Sequence, residues 1–212
     1  MFDYNCDVAQ SYGIYKNDTE LEIANYASTI NISAGFHSGD PVNIRKALLF
    51  ARERNVAIGA HIGYPDIQGF GKRKMDLSKE ELEAVIIYQV GAIQAYAKTF
   101  DLEIETVRCH GALKEKINED NETALIVAQA IQKVNPWLNV IVQNIETKNY
   151  LQSENIKAIY ELEYSNYSSI EEIDKLELKP DTIHFKNIED IKQANNIIKP
   201  TPVNYNRVQG QI

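Results

Sequence analysis

The stretch from Ser28 to Gly63 reads STINISAGFHSGDPVNIRKALLFARERNVAIGAHIG, and its rhythm decides the fold. Thr29 to Ser33 is strand-like and runs into a glycine turn carrying His37. Pro41 to Arg54 then places Ile44, Ala47, Leu48 and Ala51 at i, i+3, i+4 and i+7, the spacing of a helix with one buried face. Val56 to Ala60 is a second strand, built of small apolar residues, and it ends at His61. Two strands joined through a helix pair in parallel. The same punctuation recurs downstream: IETVRC (104–109) precedes His110-Gly111, and DTI (181–183) precedes His184. All four histidines thus fall where strand-like runs give way to loops. In a barrel of alternating strands and helices, the strand C-termini open onto one face, where chemistry is built. Residues far apart in sequence can therefore meet there.

The alternation extends outward in both directions. Phe2 to Asn5 reads as a first strand and Thr19 to Ala27 as a short helix. After a long glycine- and proline-containing loop, 61–77, Ser78 and Glu81 form a capping-box pair that opens a helix to about Lys98. Glu105 to Cys109 is a strand, Thr123 to Val134 a helix and Leu138 to Gln143 a strand. Then come a helix at Glu146 to Ser153, a strand at Ala158 to Tyr160, a helix at Ser169 to Leu176, a strand at Thr182 to Phe185 and a helix at Glu189 to Ile198. The tail from Thr201 reads as irregular. That gives about seven strands in one α/β domain over residues 1–212. The chain is short for eight full units, since barrels of eight usually need about 250 residues. A distorted, seven-stranded (β/α) barrel is expected. The competing architecture, a doubly wound open sheet, lacks its usual G-x-G-x-x-G turn here.

Composition narrows the function. The chain has 212 residues, 44% hydrophobic and 25% charged, with net charge −8 and pI near 5.1. An acidic surface argues against nucleic acid or an anionic membrane as the main partner, because phosphates need cationic counter-charge. Lys72-Arg73-Lys74 is the one dense basic run and reads as solvated. Two cysteines, Cys6 and Cys109, make no disulfide framework. With no leader and no apolar run of about 20 residues, a cytoplasmic location is expected.

Several residues can carry chemistry. Asp7 just past the first strand, with His37, His61 and His110 at other strand ends, can form a metal site for Zn, Mn or Fe. The same set can form an acid–base site without metal. No H-x-x-x-H or H-E-x-x-H spacing decides between them, so the metal stays open. Asp40 before Pro41 reads equally as a helix N-cap, and Asp66 after Pro65 as a turn residue. Cys6 and Cys109 flank the candidates, where packing competes with a nucleophilic role. Walker-type and G-x-S-x-G motifs are absent.

Together these segments resemble the family of the 5-oxoprolinase A subunit, also called LamB/YcsF. Its motifs run D-x-N-C-D-L-G-E-S-F-G, N-I-A-C-G-F-H-A-G-D-P, I-G-A-H-P-G-Y-P-D-L-Q-G-F-G-R-R and K-P-H-G-A-L-Y. They correspond here to Asp3 to Gly13, Asn31 to Pro41, Ile58 to Arg73 and Arg108 to Lys114, in order, within about the first 150 residues. The chain departs at Gln10 (family Glu), Ala34 (Cys), Ile62 (Pro), Arg108 (Lys), Cys109 (Pro) and Lys114 (Tyr). The family's F-A-D-R-x-Y and H-G-D segments have only distant counterparts, Glu161 to Tyr167 and Ile183 to Lys186. The chain therefore reads as a divergent, C-terminally shortened member. The resemblance implies a barrel of the glycoside hydrolase/deacetylase type. It also implies ATP-dependent opening of 5-oxoproline to glutamate, using ATP with Mg, together with the B and C subunits of 5-oxoprolinase. On that basis Asp7, His61 and His110 are the expected base, acid and orienting group, and Asn5, His37, Asp40 and Gln68 are expected to bind substrate or phosphate. The alternatives are a catalytically silent regulatory subunit and a metal-dependent deacetylase or amidase; a homo-oligomer also stays open.

Overall fold

A computed structural model describes residues 3–17 and 19–194. Seven strands form a closed parallel barrel in chain order: β1 (Asp3–Val8), β2 (Thr29–Ser33), β3 (Ala57–Ile62), β4 (Ile104–Cys109), β5 (Asn139–Val142), β6 (Ala158–Glu163) and β7 (Thr182–His184). β7 pairs back onto β1, with Asn5 beside His184. Around the barrel lie α1 (Glu20–Ala24), α2 (Pro41–Arg54), α3 (Lys79–Lys98), α4 (Gly111–Glu119), α5 (Asn121–Val134), α6 (Ile145–Ser153), α7 (Ile170–Asp174) and α8 (Ile188–Gln193). The expected seven-stranded barrel is the observed one. The end of the last expected helix and the tail from Thr201 lie outside the described residues.

The strand alternation places the core. Val8, Ile30, Ile32, Ile58, Ile62, Val107, Val140 and Ile183 are buried in one apolar cluster with the inner faces of the helices. The intervening residues, Asn5, Asp7, Asn31, His61, Arg108, Glu161, Thr182 and His184, bond to one another across strands. The barrel interior is thus polar and hydrogen-bonded, and the oily layer lies between strands and helices. Barrel interiors are more often filled by branched apolar side chains, so this one serves something other than packing.

Several local expectations shift. β1 runs three residues beyond Asn5, because Cys6 and Val8 pack outward while Asn5 and Asp7 find polar partners inside. β3 likewise includes His61 and Ile62. β6 continues past Tyr160 through two glutamates. α4 is an addition to the expected elements. It starts on Gly111 at φ 53°, a residue that reads as a turn, yet it buries Ala112, Leu113 and Ile117. The caps of α2 and α3 form as expected. Asp40 accepts from the Val42 and Asn43 amides, and Ser78 and Glu81 close a reciprocal box. No described helix is long and apolar enough to cross a membrane.

Candidate active site

At the C-terminal end of the barrel, β1, β3 and β4 bring three side chains into contact. Asp7 Oδ2 lies 3.2 Å from His61 Nε2. His61 Nε2 lies 3.1 Å from His110 Nδ1. The outer nitrogens of both rings face backbone carbonyls: His61 Nδ1 is 3.2 Å from the Arg108 oxygen and His110 Nε2 is 2.8 Å from the Phe70 oxygen. His37, from the loop after β2, stacks on His110 with ring centroids 4.2 Å apart and planes 9° from parallel. Gly63 and Gly71 make room for it. A Cβ at Gly63 would lie 2.8 Å from His37 Nδ1, and one at Gly71 2.8 Å from His37 Cβ and 3.0 Å from His110 Cδ2. Gly71 also sits at φ 67°, which side chains rarely adopt.

A charged floor lies beneath. The buried Arg108 guanidinium donates to Asp7 Oδ2 at 2.9 Å and to both Glu161 oxygens at 2.8–3.1 Å. Gln143 donates to Glu161 and Glu163, and Lys114 pairs with Glu163 at 2.5 Å. Asn5 links Glu161, Thr182, Asn31 and His184. Burial alone would raise the Asp7 carboxyl, but Arg108, His61 and His184 hold it well below the usual carboxylate range. Arg108 also lowers the Glu161 carboxyl against its burial. Burial also opposes ionisation of Glu163, yet Lys114 and Gln143 bring it to about 2. His110 is pushed down to about 3 by burial and by His61, and burial, with His61 and His110, holds His37 well below its ordinary value. Asp7 is therefore an anion and His37 a neutral ring.

Beside the cluster opens a cavity of about 600 Å³. Gln10, Lys16, His37, Ser38, Gln68 and Phe70 are among its lining residues. Ser38 Oγ and both His37 nitrogens are buried without a hydrogen-bond partner. Buried polar groups are normally satisfied, so this wall is shaped for a ligand that brings donors and acceptors. Among the described lining residues Lys16 is the one lysine or arginine, and none is a carboxylate.

The structure thus gathers Asn5, Asp7, His37, His61 and His110, and puts Gln68 on the cavity wall. Asp40 is occupied elsewhere. It caps α2 and accepts from the Gly13 amide and the Asn43 side chain, so it positions the loop after β1. Asp66 grips Arg73 and the Gly69 amide inside its own loop. Burial raises both thiols, Cys109 to about 12 and Cys6 well above the ordinary value, which leaves neither as a thiolate nucleophile. Sequence reading misses Arg108, Glu161, Glu163, Lys114 and Gln143 as site residues. Alternation on β6, which puts Glu161 and Glu163 on one face, is the available signal.

His37, His61 and His110 offer nitrogens within 4.8 Å of one another. An imidazole binds a metal in its ring plane, at about 2.0–2.1 Å for zinc. The parallel His37 and His110 rings cannot both aim in plane at one ion. This trio does not fit a metal in the observed arrangement.

The amino-acid sequence matches the LamB/YcsF family profile over residues 2–165. The chain belongs to the LamB/YcsF family. It is 42% identical over 136 residues to the 5-oxoprolinase A subunit of Bacillus mycoides, an alignment covering 64% of this chain and 54% of that protein. To the protein of the same name from Thermococcus sibiricus it is 43% identical over 129 residues, covering 61% and 51%. The chain spans about half the length of the curated relatives it matches. Among solved structures, the lactam utilization protein of Thermus thermophilus superposes with TM-score 0.73 at 36% identity, covering 77% of this chain and 66% of that one. An Enterococcus faecalis V583 protein, provisionally assigned to cellobiose-phosphate cleavage, shares the fold alone: 14% identity, TM-score 0.56, covering 99% and 90%.

Proposed function

We propose that this LamB/YcsF chain is the hydrolytic subunit of a 5-oxoprolinase, opening the lactam of 5-oxoproline to glutamate in the cytoplasm, with the B and C subunits as partners. The contact of Asp7 with His61 and His110 beside a ligand-sized cavity carries this reading. Lactam hydrolysis needs a base to deliver water to the carbonyl carbon and an acid to protonate the departing nitrogen. Asp7 is the proton acceptor, His61 the donor and His110 the group that orients it. Gln10, Gln68, Ser38 and His37 supply the donors and acceptors that bind an amide edge, and Lys16 complements a substrate carboxylate.

The family implies ATP with Mg. The lining of this cavity does not fit a nucleoside triphosphate: it offers one lysine and no carboxylate for Mg, while Arg73 is engaged by Asp66. In the assembled enzyme, activation of the amide by ATP therefore falls to the partner subunits. The acidic chain, at net charge −8, lacks the counter-charge that nucleic acid or an anionic membrane needs. The test is glutamate release from 5-oxoproline and ATP by the chain alone and with the B and C subunits. Activity that requires both the chain and its partners supports the assignment. Full activity without this chain, or none with a folded chain present, rejects it.

A further inference from the structure

The cavity beside the histidines has two unlike ends. At the deep end His37 and Ser38 are buried, and both His37 nitrogens and Ser38 Oγ lack a hydrogen-bond partner. At the rim the lining turns aromatic and apolar: Tyr12, Tyr15 and Ile67 are 45%, 74% and 37% exposed. Lys16 follows Tyr15 in the chain and is exposed with it. Large apolar side chains gathered on a concave rim, rather than scattered singly, mark a surface that a ligand covers.

The turn that carries the tyrosines is held from both flanks. Tyr12 and Tyr15 exchange backbone hydrogen bonds, each 3.0 Å long. Residues paired in this way carry their side chains on one face. Gly13 permits the turn at φ 56°. Asp40 accepts from the Gly13 amide at 3.1 Å, and the Asn43 side chain donates to the Ser11 carbonyl at 3.1 Å. The Ser11 hydroxyl accepts from the Asn17 amide and the Glu20 carboxylate from the Gln10 amide, both at 2.8 Å. The aromatic pair is thus fixed at the mouth, where it offers contact area at little ordering cost.

Size indicates what the pair meets. The cavity of about 600 Å³ lies in the range of about 300–1,000 Å³ that holds drug-sized ligands. 5-Oxoproline, a single five-membered ring with its carboxylate, occupies only part of that space. We propose that the rim is a second subsite and that the chain takes 5-oxoprolyl peptides, lactams whose carboxyl continues into an apolar or aromatic residue. The lactam meets the unpartnered groups of the deep end. The apolar side chain lies against Tyr12, Tyr15 and Ile67, and the peptide's terminal carboxylate pairs with Lys16. This extends the hydrolase reading above and rests on it. The bond chemistry is unchanged: water adds across the lactam C–N bond, its hydroxyl to the carbonyl carbon and its proton to the nitrogen, which leaves a glutamyl peptide. A partner protein is a poorer occupant of the rim, because the tyrosines line the same concavity as the unpartnered deep groups.

Calorimetric titration of the full chain compares 5-oxoproline, 5-oxoprolyl-phenylalanine and the same dipeptide as its C-terminal amide. The dipeptide should bind at least ~10-fold more tightly than 5-oxoproline, the gain from partly burying one aromatic ring. Its amide, lacking the carboxylate, should lose about 2–5-fold of that affinity. In the double variant Tyr12→Ser with Tyr15→Ser, shown to be folded, the dipeptide and 5-oxoproline should come within about threefold of each other. Equal affinities in the wild type, failure of both ligands to bind, or an advantage that survives the double variant would overturn the proposal. So would a double variant that weakens assembly with the B and C subunits and leaves the ligand ratio as it was. Because the readout is a ratio of affinities rather than turnover, each of these outcomes leaves the hydrolase assignment to be judged by the glutamate assay.

Discussion

Arg108 is the side chain on which the site's electrostatics turn. It answers two buried carboxylates at once, Asp7 with one terminal nitrogen and Glu161 with the rest of its fork. Removing one partner of a buried ion pair costs about 3–5 kcal/mol, because the charge left behind has no counterpart. Arg108→Met should lower unfolding free energy by about that amount in urea titrations; a loss below about 1 kcal/mol would show that water reaches the floor. Gln10 is the second informative position. It lines the cavity where the family has a carboxylate. Gln10→Glu should raise turnover in the presence of partners, with the gain lost as pH falls through the new carboxyl's pKa; no gain at any pH would place the cause of any weak activity elsewhere.

At the scale of elements, the loop after β3 is held as tightly as the strands. Gly71 brings its backbone against both His37 and His110. Gly71→Ala adds a methyl group at φ 67°, inside contact distance of the His37 Cβ and the His110 ring. Such strain costs of order 1–3 kcal/mol, so the variant should melt lower and bind ligand worse, and an unchanged melting temperature would count against the geometry. Here the legibility of the sequence has a physical boundary. The α2 boundaries and caps are readable because spacing and capping act within a few residues. The sequence pattern ends β6 at Tyr160 because Glu161 and Glu163 look like solvent-facing residues. They can be internal only because Arg108 and Lys114, some fifty positions earlier, answer them. No local window contains that fact. The histidines are legible as a group, since strand ends share one face of a barrel; their contacts with one another are not.

For the whole molecule, a polar barrel interior makes stability depend on pH. His37, His110 and His184 are held below the ordinary histidine value of 6.5, His110 at about 3. Between those limits the unfolded chain binds more protons than the native one, so their share of stability is full above about pH 6.5 and drains as pH falls toward 3. Asp7, Glu161 and Glu163 have depressed carboxyls, Glu163 at about 2 against an ordinary 4.5. Their share is present above about pH 4.5 and is lost as pH falls through the native values. Melting temperature should therefore decline gently below about pH 6.5 and steeply below about pH 4.5. A flat profile from about pH 7 to 4 would contradict the buried charge arrangement.

On the proposed assignment, Asp7 and His61 perform the proton transfers of lactam hydrolysis. The direct test is turnover of 5-oxoproline in the enzyme reassembled from this chain and its partner subunits, comparing wild type with Asp7→Asn and His61→Ala. General acid–base groups contribute about 10²–10⁴-fold. Each variant, shown to be folded and to assemble, should lower kcat by at least ~100-fold. Turnover within a few-fold of wild type in either folded variant would rule out these roles.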